Sequence, residues 1–287
     1  MNRTISTLTS NVRTLDGGVL FGRTPRMLWA EWFKPDYDNQ VELASRTLLF
    51  QEAGKNILVM AGSEALLAPR PRTCLCQRPA PSLLDSLAER GLGEGDIHAV
   101  LLSHVQSILS PKLLHALREG DLPRLLFPKA RYLTGERHWF RARHPHPLDR
   151  GLFIPQILAQ LQHSNRLELI EANTSQLLGN GWKFHLSDGH TPGQLLPEIS
   201  MPAGPVVFAG DMIPATHWLD LPVTSGYDRN PECLIGEKER ILDYLVESRG
   251  RLFLARDPEV ALVKVLRDRQ SRYLAYDQHP ALNRLDT

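Results

Sequence analysis

Val100-Leu101-Leu102-Ser103-His104-Val105-Gln106-Ser107-Ile108-Leu109 is the stretch that decides how this chain folds. An apolar run of strand type leads into a histidine, which sets an imidazole at a strand-to-loop boundary. A histidine in that position is by itself an ordinary polar loop residue. Two other segments change its meaning. Asp188-Gly189-His190-Thr191-Pro192-Gly193-Gln194 carries a second histidine in a stretch whose glycines and proline suggest a tight turn. Phe208-Ala209-Gly210-Asp211 ends another apolar run on a carboxylate.

The surrounding sequence alternates strand and helix signals. Residues 47–50 and 56–60 are β-type runs joined by Glu52-Ala53-Gly54-Lys55, a hairpin signal. Residues 83–92 read as a helix, with Ser82 as N-cap three residues before Asp85 and Gly91 or Gly93 as the stop. A strand over 97–102 precedes a helix starting over 111–117, and a strand at 130–133 precedes a short amphipathic helix at 136–143. A polar loop at 145–153 leads to a helix at 155–161. Strands at 167–170, 182–186 and 205–209 form a second strand-rich half. An amphipathic helix over 237–247 sets Ile241, Tyr244 and Leu245 on one face. A strand at 251–255 and a terminal helix at 258–269 follow. Interleaved elements with short connections imply layered α/β architecture, and no linker divides residues 1–287, so one domain is expected.

Composition narrows the function classes. The 287 residues, 42% apolar and 23% charged, suit a globular protein with a sizeable core. A net charge of +1 provides no footprint for nucleic acid or an anionic membrane. No apolar run approaches the roughly 18 residues of a membrane span. Residues 1–11 are polar and rich in Ser and Thr, unlike a secretory signal, and three cysteines argue against a disulfide framework. A cytoplasmic location is expected. Cys74 and Cys76 form a Cys-X-Cys pair without a second pair at zinc-finger spacing, which favours plain thiols near a loop over a zinc site.

The three site segments, in this order and at these spacings, resemble the metal motifs of the metallo-β-lactamase fold. There the first reads His-X-His-X-Asp-His, the second Gly-His-Thr-Pro-Gly-His, and the third is the strand ending in a bridging Asp. Residues 15–22, 43–49, 127–132 and 253–259 narrow the resemblance to the quorum-quenching lactonases and related organophosphate hydrolases, over about residues 12 to 265. The resemblance implies an α/β four-layer αβ/βα sandwich, with two mixed sheets face to face and helices outside. It also implies hydrolysis of lactones or related esters with two metals, usually zinc, and a homodimer as one assembly.

The departures fall where that chemistry would be. By the resemblance, the first metal site keeps His104, His190 and the bridging Asp211, with Gln106 in place of the middle histidine. The second site has Ile108, Leu109 and Arg256, and Met60 stands where an Asp is usual. A dinuclear centre holds two cations about 3.5–4 Å apart over a shared hydroxide. Ile108 and Leu109 offer no lone pair, and the permanently charged Arg256 repels a cation. Arg256 is therefore expected to take the second metal's place as a fixed charge paired with Asp211. Two His and one carboxylate remain as a facial set that can hold one divalent ion. Their other role is to hydrogen-bond loops together.

The expectation from these departures is a pseudoenzyme: a degenerate fold member without cofactor, binding a small molecule or a partner protein in the former active-site cleft. Arg256, Tyr227 and Gln106 are its candidate ligand-binding residues, and Asp211, Arg256 and Tyr227 its candidate catalytic ones. The alternative is a mononuclear hydrolase of a lactone, ester or phosphate ester. It would hold one Zn, Mn or Fe ion through His104, Gln106, His190 and Asp211. Metal-free catalysis with Arg256 as electrophile ranks last, because no nucleophile with an adjacent base is evident. His138, His144 and His146, with Arg141 and Arg143, read as a solvated basic loop rather than a second metal site. Tyr227 is either a hydrogen-bond donor to a bound carbonyl or an aromatic wall residue.

Overall fold

The computed structural model describes residues 3–63, 66, 82–107, 125–171 and 173–286. The helix expected over 111–117, the Cys74/Cys76 pair, Ile108 and Leu109 lie outside the described residues. Among the described residues, twelve strands form two six-stranded sheets in sequence order. The first contains β1 (Thr4–Asp16), β2 (Gln40–Glu52), β3 (Lys55–Met60), β4 (Ala99–Leu102), β5 (Arg131–Gly135) and β6 (Leu167–Ile170). The second contains β7 (Trp182–Ser187), β8 (Gln194–Ile199), β9 (Val206–Phe208), β10 (Arg251–Phe253), β11 (Leu262–Arg267) and β12 (Tyr273–His279). Pairing is parallel from β3 through β6 and between β9 and β10, and antiparallel elsewhere. The helices are α1 (Gly17–Phe21), α2 (Arg26–Trp32), α3 (Leu83–Ala88), α4 (Glu136–Arg143), α5 (Pro155–His163) and α6 (Pro231–Glu247).

The layering follows from alternation along strands buried on both faces. In β3, Ile57 and Val59 join the core between the sheets, while Leu58 and Met60 point into an outer core with Leu83, Leu87, Trp139, Ile157 and Leu161. In β9, Val206 and Phe208 enter the inter-sheet core, and Val207 packs outward with Leu234, Ile241 and Leu245 of α6. Three apolar clusters separating helices, sheet, sheet and helices make the expected four-layer αβ/βα sandwich.

Local signals explain the boundaries. Ser82 and Asp85 form a reciprocal capping box on α3, and Pro155 occupies the first turn of α5. The terminal helix expected at 258–269 is corrected: that stretch contains β11, antiparallel to both β10 and β12. Its apolar run suits a helix of short period equally well, but β-branched Val263 and Val265 fit a buried pleat and are buried here. The Ser/Thr-rich start, read only as a polar stretch, is β1, with Ile5 and Leu8 buried against β2 and the inter-sheet and outer cores.

Candidate metal and active site

The candidate site residues gather at one end of the sandwich, just past the ends of strands from both sheets. His104 lies two residues after β4 ends. Ser103 ties that turn to the other sheet: its Oγ donates to the Leu195 carbonyl at 2.6 Å, and its own carbonyl accepts from Leu195 N at 2.9 Å. Val105 N donates to His138 Nε2 at 2.9 Å, and His138 Nδ1 donates to the Pro192 carbonyl at 3.1 Å. His138 thus holds the His104 loop against the His190 loop. It requires a neutral ring to do so, and burial, reinforced by the nearby His104, pushes its pKa down to about 3.

His190 sits in the turn between β7 and β8. Glu237 of α6 shapes that turn, accepting from Ser187 Oγ at 2.6 Å, Asp188 N at 2.8 Å and Gly189 N at 3.1 Å. Asp211 follows β9 through Gly210, whose φ is 57°. A Cβ at Gly210 would lie 2.6 Å from Ser103 Oγ, so only glycine lets the chain turn there and present the aspartate.

One donor atom each from His104, His190 and Asp211 fall within 4.8 Å of one another. His190 Nδ1 donates to Asp228 Oδ1 at 2.8 Å, so the neutral ring keeps its lone pair on Nε2. His104 Nε2 lies 3.2 Å from Asp211 Oδ2 but off the line of a hydrogen bond, and both nitrogens of this buried ring lack a hydrogen-bond partner. Two oriented imidazoles and a carboxylate, with orphaned buried nitrogens, fit one divalent ion of the Zn, Mn or Fe type. Burial lowers the His104 pKa more than Asp211 raises it. Burial alone would also lower the pKa of His190, but the Asp228 carboxylate outweighs it and raises it. Asp211 is held well below the usual carboxylate range, because Arg256 and His104 overcome the burial penalty on its charge.

Arg256 follows β10 and reaches Asp211 with two arms. Nε donates to Oδ1 at 2.9 Å and Nη2 contacts Oδ2 at 3.4 Å, while Nη2 also donates to the Ala61 carbonyl at 2.7 Å. Only 5% of the residue is exposed. Among the described residues the donors present therefore fit one ion, and a cationic side chain stands against the carboxylate that the resemblance would have shared with a second. Gln106, Leu152 and Tyr227 line the same small cleft with His104, His190, Asp211 and Arg256. Gln106 Nε2 is buried without a partner. Burial, then the charge of Asp16, raises the Tyr227 pKa and keeps its phenol protonated near neutral pH.

The structure thus brings together all the sequence-derived candidates. It corrects the basic loop: His138 is fully buried on α4, whereas His144 and His146 are exposed. Among the described residues, His104, His190 and Asp211 are the one cluster able to hold a metal. The roles of Asp228 and Glu237 went unread, since nothing local ties Asp228 to a histidine 38 residues away or Glu237 to a glycine 48 residues away.

Two mixed six-stranded sheets with helices outside are the architecture of the metallo-β-lactamase fold. Solved structures with this architecture include a probable metal-dependent hydrolase from Staphylococcus aureus, at 22% identity and a TM-score of 0.77, covering 96% of this chain and 98% of that one. The hydrolase AbOPH of the beta lactamase superfamily gives 17% identity and a TM-score of 0.73, over 97% and 95% of the two chains. AidC, a dizinc quorum-quenching lactonase solved with the product N-hexanoyl-L-homoserine, gives 18% and 0.71, over 96% and 94%. At these identities the likeness establishes the fold. No protein-family model and no curated protein matches the sequence.

Proposed function

We propose that this protein is a hydrolase of an ester, lactone or phosphate ester that uses a single divalent metal. The observation that carries this reading is the convergence of His104, His190 and Asp211 within 4.8 Å, with Asp228 fixing the His190 tautomer that leaves Nε2 free. An ion bound there supplies Lewis acidity toward a carbonyl or phosphoryl oxygen. The chain's own groups do the rest. Arg256 supplies a permanent positive charge beside Asp211, where the dinuclear relatives would have a second cation. Tyr227 presents a neutral phenol able to donate to substrate oxygen, and the Gln106 amide offers a second uncharged donor.

The test is metal analysis of protein purified without chelator, followed by an ester, lactone and phosphate-ester panel with and without added Zn, Mn or Fe. The Asp211→Ala variant serves as control. One ion per chain and turnover lost in the control support the reading.

A second reading has its own observation. Arg256 engages both oxygens of Asp211, which suits a protein that has exchanged metal for an internal ion pair and binds its ligand without hydrolysis. Less than a tenth of an ion per chain after metal loading, with equal background rates in wild type and control, would favour it over the first.

A further inference from the structure

Lys238 is fully buried on α6, next in sequence to Glu237. A buried ammonium needs an acceptor for each of its three N–H groups. Nζ finds them along one stretch of loop, donating to the carbonyls of Asp220 at 2.8 Å, Leu221 at 3.1 Å and Val223 at 2.9 Å. Residues 220–230 lie outside helix and strand, so no regular ladder fixes these carbonyls. Burial draws the Lys238 pKa down to about 7, against the fields of Asp228 and Asp220, so the ammonium prevails on the acid side of neutrality.

The clamped loop runs straight into the site. Ser225 N donates to Asp228 Oδ2 at 2.6 Å, Arg229 N to the His190 carbonyl at 3.1 Å and Asn230 N to the Gly189 carbonyl at 2.8 Å. Tyr227, which lines the cleft, stands beside Asp228 in the same loop. Neighbouring residues of α6 therefore hold the two partners of one bond. Glu237 fixes the turn that carries His190, and Lys238 fixes the loop that carries Asp228. Their side chains meet at 2.8 Å, and a hydrogen bond between two loops weakens steeply if either drifts, so a shared helical anchor preserves it.

We infer that Lys238 is a positioning residue of the site: its ammonium sets the loop that presents Asp228 to His190 Nδ1, and through that bond the Nε2 lone pair to a metal. This deepens the hydrolase reading and rests on it for its catalytic meaning. The bond between His190 and Asp228 exists without metal, so the two ideas fail separately.

The test is proton NMR of the metal-free full chain just below neutral pH. It follows the His190 Nδ1–H resonance, assigned by its loss in His190→Gln. Lys238→Met is expected to shift or broaden this resonance, as Asp228→Asn does, while the His138 Nδ1–H resonance stays in place. In competition with a chromophoric chelator, Lys238→Met should bind zinc about tenfold more weakly than wild type. The double variant Lys238→Met/Asp228→Asn should bind it no more weakly than Asp228→Asn alone, because the lysine acts through the aspartate. An unmoved His190 resonance in folded Lys238→Met, or in Lys238→Gln should the Met variant not fold, overturns the inference. So do zinc losses that multiply in the double variant, or a loss of the His138 resonance together with that of His190, which would mark general loosening. A wild type that takes up no zinc would reject the hydrolase and leave the two resonances to decide the role of Lys238.

Discussion

Asp228 grips His190 from behind: one carboxylate oxygen accepts from His190 Nδ1 at 2.8 Å and the other from Ser225 N at 2.6 Å. An amide at this position cannot satisfy both donors, because one of its two ends is itself a donor. Asp228→Asn is therefore expected to weaken metal affinity roughly 10- to 100-fold through loss of ring orientation and basicity. Competition with a chromophoric chelator measures this, and an unchanged affinity would remove His190 from the ligand set.

Arg256→Ala leaves the charge of the largely but not fully buried Asp211 without its main partner. The expected cost is about 3–5 kcal/mol in urea denaturation of metal-free protein. Added zinc should restore part of that loss, because a cation bound at His104, His190 and Asp211 would take over the neutralising role. A variant as stable as wild type would mean the ion pair contributes nothing.

The pH dependence of stability should carry the mark of His138. Its folded pKa of about 3 lies below the unfolded value near 6.5, so the unfolded chain takes up the proton first as pH falls. Stability is then unaffected by this group above about pH 6.5 and declines between there and about pH 3. His138→Gln is expected to lower stability at neutral pH but flatten that acid slope by about one proton, readable in melting temperatures across the range.

Glu237→Gln tests how the His190 turn is held. The carboxylate accepts from a hydroxyl and two backbone amides, and an amide nitrogen would face at least one of those donors. The expected loss is about 1–3 kcal/mol, with weaker metal binding at unchanged secondary structure by circular dichroism. Unaltered stability would assign the turn's shape to Gly189 and Gly193 instead.

The sequence made the site's ligands legible and much of its support invisible. His104, His190, Asp211 and Arg256 could be placed because the short motifs around them resemble those of a known family. His138, Asp228 and Glu237 act across 33 or more residues, and no local period encodes such meetings. The same limit governs the fold. The α3 cap and the β2–β3 hairpin were readable from neighbours in the chain. β11 was misread as a helix because an apolar run of that length satisfies either period until a partner strand is known. α6 starts earlier than its apolar period suggests: Asn230 caps it and Pro231 opens it, six residues before the expected beginning.

The site is divided between the two sheets, with His104 on one and His190, Asp211 and Arg256 on the other. Arg256 crosses that divide, anchored after β10 and bonded to the Ala61 carbonyl just beyond β3. In a dinuclear protein the ions themselves would be the clasp, and chelation would loosen it. Here the clasp is part of the polypeptide, present from the moment of folding and immune to metal scarcity. Such a chain is expected to reach and keep its shape in surroundings too poor in metal to load it, with the seam already closed when the proposed ion or ligand arrives.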